Sequence, residues 1–140
     1  GGQINVWTGP TSPNAAPHGC AFDPSAGNLW LSDLIAAAIF QLNPTTGAVI
    51  SSFAAPGVDV RGMTFVGQDL WVIDLATLTL IRVTTTGSVV DTFDISSLGN
   101  EPEGLTNDGQ YLWITERETE TIYQIDVGPI PVELMEFVIE

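Results

Sequence analysis

The sequence predicts an all-β chain built from three consecutive four-stranded antiparallel units, and three observations carry that reading. Trp30, Trp71 and Trp113 recur 41 and 42 residues apart. Each stands in the same frame. A residue–glycine pair lies upstream (His18-Gly19, Arg61-Gly62, Glu103-Gly104), an acid follows three residues later (Asp33, Asp74, Glu116) and an aliphatic nine later (Ile39, Leu80, Ile122). Four short apolar runs, rich in β-branched and aromatic residues and parted by turn residues, fill each period. A period of about 40 to 45 residues holding four strands is the signature of propeller blades, units that bury their faces only by stacking on neighbours. Three blades make half of a six-bladed ring.

In the first unit the strands are expected at about 19–23, 28–33, 38–43 and 48–54. Asp23-Pro24-Ser25-Ala26-Gly27, the alanine segment around Ala37, and Asn43-Pro44-Thr45-Thr46-Gly47 part them, all residues that favour turns except the alanines. The second unit gives 62–66, 69–74, 79–84 and 88–94, with turns at Gly67-Gln68 and Thr85-Thr86-Gly87. The third gives 104–106, 111–116, 121–126 and 131–138, with Asn107-Asp108-Gly109-Gln110 as a hairpin turn of the Asp-Gly kind. The blades so drawn cover about 17–57, 58–99 and 100–140. No helical period lasts more than a few residues, so no helix is expected.

Residues 1–16 lie outside the repeat. Gln3, Ile4, Asn5, Val6 and Trp7 form a strand-like run, and a Pro/Gly/Asn-rich loop then leads to Pro17. That loop takes the place of the loops after Phe53 and Phe93, so the run reads as an extra N-terminal strand, the outermost strand of a blade preceding the first. In the last strand, Pro129 and Pro131 replace the Thr-Thr-Gly turn. Proline cannot donate to a ladder, which leaves that strand less tightly tied to its blade.

Composition narrows the partners. The 140 residues are 44% hydrophobic, enough for one domain with its own core. Seventeen acids stand against three arginines and no lysine, a net charge of −14. Nucleic acid and anionic membrane surfaces need counter-charge, so neither is expected as a partner. No apolar run approaches the roughly 18 to 20 residues of a membrane span. No signal peptide is visible, which fits a cytoplasmic chain or an exported one after cleavage. Cys20 stands alone, which excludes an internal disulfide, and its place in an inner strand predicts a buried, inert thiol.

At Pro17-His18-Gly19-Cys20-Ala21-Phe22-Asp23-Pro24 and Gly27-Asn28-Leu29-Trp30-Leu31-Ser32-Asp33 the chain resembles the NHL- or YVTN-type propeller repeat. That repeat builds virginiamycin B lyase-like proteins and, more loosely, gluconolactonase and strictosidine-synthase propellers. The chain departs from it at Ala37 and Ala38, where a basic residue is usual, and at Glu116, which stands for Asp. Separately, Pro131-Val132-Glu133-Leu134-Met135-Glu136-Phe137 is similar to a segment near the C-termini of many secreted bacterial proteins, which implies an extracellular location.

In such propellers the residue before each first-strand glycine faces the mouth of the central channel, which marks His18, Arg61 and Glu103 as channel-rim candidates. Their chemistry supports a polar site, with Glu103 as metal ligand or base, His18 as acid/base and Arg61 as an anion or carbonyl clamp. The resemblance to gluconolactonases implies a metal ligand at Glu103, with Asn107 and Asp108 as further candidates. The structural alternative is that the three side chains pair with one another across a wet channel. A single histidine and the lack of any phosphate loop, zinc pattern or Ser-His-Asp arrangement favour it, so no catalytic residue, metal or cofactor is expected. Asp33, Asp74 and Glu116 are expected to accept hydrogen bonds from nearby turns. The repeated tryptophans read as blade packing, and Trp7 as an interface anchor.

Three blades form an open arc with two apolar end faces, more than a monomer tolerates. The expectation is a non-enzymatic, extracellular, self-assembling structural protein whose partner is itself. Ile4, Val6, Trp7, Val132, Leu134 and Phe137 would carry the interface through terminal strands exchanged between copies. Two alternatives remain. One is a closed six-bladed dimer acting as a lyase- or lactonase-like enzyme or a small-ligand binder. The other is a fragment of a larger secreted propeller.

Overall fold

The computed structural model of the chain describes residues 1–11 and 15–128. Blade I contains β1 (Pro17–Asp23), β2 (Asn28–Asp33), β3 (Ala38–Leu42) and β4 (Val49–Ala54). Blade II contains β5 (Val60–Val66), β6 (Asp69–Asp74), β7 (Thr79–Thr84) and β8 (Val89–Asp94), followed by a single 3-10 turn at Ser96–Leu98. Blade III shows β9 (Pro102–Asn107), β10 (Leu112–Glu116) and β11 (Thr121–Ile125). Each sheet is an antiparallel meander in chain order, and neighbouring blades meet along their innermost strands, β1 beside β5 and β5 beside β9. The expected strand at 131–138, with the interface residues Val132, Leu134 and Phe137, lies outside the described residues.

The repeated tryptophan explains the stacking. Trp30 is wholly buried, clustered with Val60, Met63, Leu70, Val72, Ile81 and Val83 of blade II. Trp71 repeats this one blade on, against Leu112 and Ile114 of blade III. Indoles of this kind bury roughly 150–250 Å², so each contributes on the order of 4–6 kcal/mol at about 25 cal/mol per Å². Phe53 and Phe93, from the outer strands, pack on the same two indoles with ring centroids 5.9 and 5.7 Å apart. Trp113 meets no further blade among the described residues and remains half-buried, its indole N–H donating to Asp108 Oδ2 at 2.9 Å. The expectation of blade packing therefore holds for two of the three repeated tryptophans, and the third faces the open end.

Glycine lets the inner strands crowd together. A Cβ at Gly19 would overlap the Arg61 carbonyl oxygen, and one at Gly62 would overlap that of Glu103. The β2–β3, β6–β7 and β10–β11 turns each hold a residue in the left-handed region: Ala37 (φ 48°), Leu78 (φ 52°) and Glu120 (φ 54°). The alanine segment is thus a tight turn of the same geometry as its two counterparts.

Two expectations need correction. Residues 3–7 form no strand in this chain, because among the described residues no sheet edge runs beside them; Ile4 and Val6 are 91% and 67% exposed. Trp7 is nevertheless anchored, its indole lying against Gly47 in the β3–β4 turn. Phe53 lies against Gly87, the matching glycine of blade II, in the same way. Cys20 is exposed, not buried. Alternation along β1 turns Gly19, Ala21 and Asp23 toward blade II and leaves Cys20 and Phe22 on the other face.

A candidate axial site

Each rim residue stands where its innermost strand slips register. The β1–β2 ladder shifts between Pro17 and Cys20, the β5–β6 ladder between Val60 and Met63, and the β9–β10 ladder at Thr115/Glu116, opposite Pro102 and Gly104. A bulge frees a residue from pairing and re-aims its side chain. The result is that His18, Arg61 and Glu103 line one cavity of about 450 Å³, together with Cys20, Met63 and Leu105 further along the same strands.

Among the described residues no direct ion pair joins the three, where the structural alternative expected them to pair with one another. Arg61 forks onto Asp59, two residues upstream, with Nε and Nη2 donating to Oδ1 and Oδ2 at 2.7 and 2.9 Å. That contact, opposed by desolvation and aided by the nearby charges of Glu103 and Glu101, raises the guanidinium's pKa further. Glu103 instead lies 3.7 Å from Arg117, whose Nη2 is 2.6 Å from Glu101. Asp59 and Glu101 share one place in the repeat, two residues before the rim residue. Read in frame, that spacing would have revealed them; Arg117 has no basic counterpart at Leu34 or Leu75.

Asn107 and Asp108 are committed elsewhere. Asn107 Nδ2 donates to Thr64 Oγ1 at 2.8 Å and so ties blade III to blade II, while Asp108 accepts from the backbone N–H of Gln110 and Tyr111. Neither lines the axial cavity. Among the described residues no group of three His, Cys, Asp or Glu side chains is arranged to hold a metal ion.

The acids after the second strands hold the loop ends together, as their place in the frame suggested. Asp33 accepts from Thr11 Oγ1 and from the N–H groups of Ala16, Ile35 and Ala36. Asp74 accepts from Asp59 N–H at 2.8 Å and Thr77 Oγ1 at 2.7 Å. Glu116 accepts from Glu101 N–H at 2.8 Å and from Thr119 N–H and Oγ1 at 2.6 Å. Burial pushes the Asp33 carboxyl up, but these hydrogen bonds together hold it below the usual range. The Thr119 hydroxyl and N–H do the same for Glu116, against a smaller desolvation effect.

The architecture has solved counterparts. Virginiamycin B lyase from Staphylococcus aureus superposes with a TM-score of 0.57 at 22% identity, over 84% of this chain and 42% of that one. Myxococcus xanthus glutaminyl cyclase gives 0.68 at 12% identity over 82% and 50%, and BamB from Moraxella catarrhalis 0.53 at 15% over 79% and 34%. The chain is three blades of a β-propeller. It spans half or less of each of these structures, and identities this low speak for the fold alone. No protein-family model and no curated protein sequence matches it.

Proposed function

We propose that this chain is a non-enzymatic, exported, self-assembling structural module that completes a propeller ring by association. One observation carries the reading. Trp113 occupies the same frame position as Trp30 and Trp71, yet stands half-buried where they are sealed by a following blade. At the other end Phe22 is 53% exposed on the outer face of blade I. Apolar end faces of this kind favour association. Arg61 and Glu103 each have a counter-charge in their own blade's loops, which favours a structural over a catalytic rim. The acidic, lysine-free composition and the Pro131–Phe137 resemblance support export, and recovery of the native protein from cells alone would count against it. Light scattering at micromolar concentration is expected to give a dimer or larger particle; a monodisperse, folded monomer would refute association. For the filament form of the reading, removing residues 130–140 should abolish long assemblies while leaving the blades folded.

A second reading has its own observation: His18, Arg61 and Glu103 do converge on one cavity. A ring completed by three more blades, from a second copy or a longer chain, would then bind or turn over a small polar ligand there. Lactone or ester turnover lost in Glu103→Gln would favour that reading.

A further inference from the structure

Resting on the association reading, we infer that residues 3–8 of one copy supply the outer strand of blade III in a second copy. Asn5 then stands opposite Gln124 and Trp7 opposite Ile122, while Trp113 of that second copy seats on Leu29, Leu31 and Leu42 of the first.

The register comes from the two complete blades. In blade I, Ser51 faces Gln41 and Phe53 faces Ile39; in blade II, Asp91 faces Arg82 and Phe93 faces Leu80. Residues 3–8 read Gln-Ile-Asn-Val-Trp-Thr beside Val-Ile-Ser-Ser-Phe-Ala (49–54) and Val-Val-Asp-Thr-Phe-Asp (89–94), which sets Trp7 on Phe53 and Phe93. Position agrees with pattern, since Trp7 occupies against Gly47 the place Phe53 occupies against Gly87. The receiving edge is equally marked. Ile39 and Leu80 are wholly buried, whereas Ile122, their counterpart in β11, is 68% exposed. Among the described residues β11 pairs only with β10.

The faces match as well. Trp30 packs on Leu70, Val72 and Val83 of blade II. Their counterparts in blade I are Leu29, Leu31 and Leu42, which line a mainly apolar cavity of about 210 Å³ beneath Trp7. Gly104 repeats the logic at the axis. Gly19 and Gly62 each meet the next blade's carbonyl oxygen, and the His18 carbonyl of a second copy would take that place beside Gly104, whose nearest neighbour in its own chain is the Thr115 side chain. A second copy also suits the arithmetic of the ring, because the chain covers 42% and 50% of the lyase and cyclase structures. Closure by two-fold symmetry satisfies both ends at once and brings the two sets of His18, Arg61 and Glu103 to one axis.

The cross-strand pair Asn5–Gln124 tests this directly. Residues facing each other in antiparallel strands have Cα atoms about 4.5–5.5 Å apart, within the range a disulfide spans. N5C and Q124C are prepared separately in a Cys20→Ser background, co-refolded in equal amounts and mildly oxidised. Both positions are exposed, and near-ultraviolet circular dichroism of the reduced proteins verifies that each has folded. The expected result is a covalent dimer in the mixture, several-fold above that in either variant alone. Dimers by light scattering without the mixed disulfide overturn the strand exchange and spare the association reading. Monomers at every concentration overturn both.

Discussion

Trp7 lies so close to Gly47 that a Cβ there would overlap the indole's Cγ and Cδ1. Forty residues separate the two, and no backbone ladder joins them. The contact fastens an otherwise unpaired segment onto blade I, in the position that Phe53 takes against Gly87 of blade II. Gly47 also sits at φ +72°, so it is required twice, by the turn and by the ring above it.

Gly47→Ala is therefore expected to lose the left-handed turn, about 1–2 kcal/mol, and to displace the indole as well. Gly27→Ala is the control, because Gly27 has φ +69° with open space around it and should lose the backbone contribution only. Thermal melting should rank Gly47→Ala below Gly27→Ala, with red-shifted tryptophan fluorescence in the former alone. Equal melting temperatures and unchanged emission would show that Trp7 is not held there.

The three left-handed turn residues carry avoidable strain. Glu120 is exposed at φ 54°, and asparagine tolerates that region better than a longer side chain. Glu120→Asn should raise stability by roughly 0.5–1 kcal/mol, read as a higher urea midpoint with unchanged slope. A lower midpoint would contradict the turn geometry.

Glu116→Gln should destabilise more than its conservative chemistry suggests. The side-chain amide presents donors where Thr119 and Glu101 also present donors, and a buried donor left unpaired costs about 1–3 kcal/mol. The pH dependence follows from the lowered pKa values of Glu116 and Asp33. Their contribution is fully present above the unfolded values of about 4 and is lost as pH falls through the lower folded values. The wild type should thus lose stability on acidification below about pH 4, and Glu116→Gln should lose less over the same window. Parallel melting curves for the two proteins from pH 7 to pH 3 would refute the assignment.

Divalent calcium, magnesium or zinc is expected to leave the melting temperature of the wild type and of Glu103→Gln alike unchanged. Arg117 stands beside Glu103 and lowers the need for a cation there. A concentration-dependent rise in the wild type, absent from the variant, would identify a metal at the axial mouth.

Much of the fold was legible because the repeat restates it three times. The Trp-x-x-acid frame located every second strand and the acids that clasp the loops, and the glycines marked the innermost strands. Reading β1 as simply interior gave a buried Cys20. A strand's period of two fixes which residues share a face, not which face meets a neighbour, and blade I has a neighbour on one side only. The counter-charges were missed for a different reason. Asp59 and Glu101 lie outside the apolar runs, and Arg117 reaches Glu103 only because β9 and β10 are paired.

The order of strands, the number of blades and the aromatic that each outer strand presents were written in the sequence, because local turn chemistry and alternation determine them residue by residue. The pairing of Arg61 with Asp59 rather than Glu103, the seat of Trp7 on Gly47, and the unequal burial of three equivalent tryptophans were decided only by tertiary structure. Those depend on how closely one blade's backbone approaches the next, and on where the stack of blades ends. Neither distance nor ending is encoded within a single repeat.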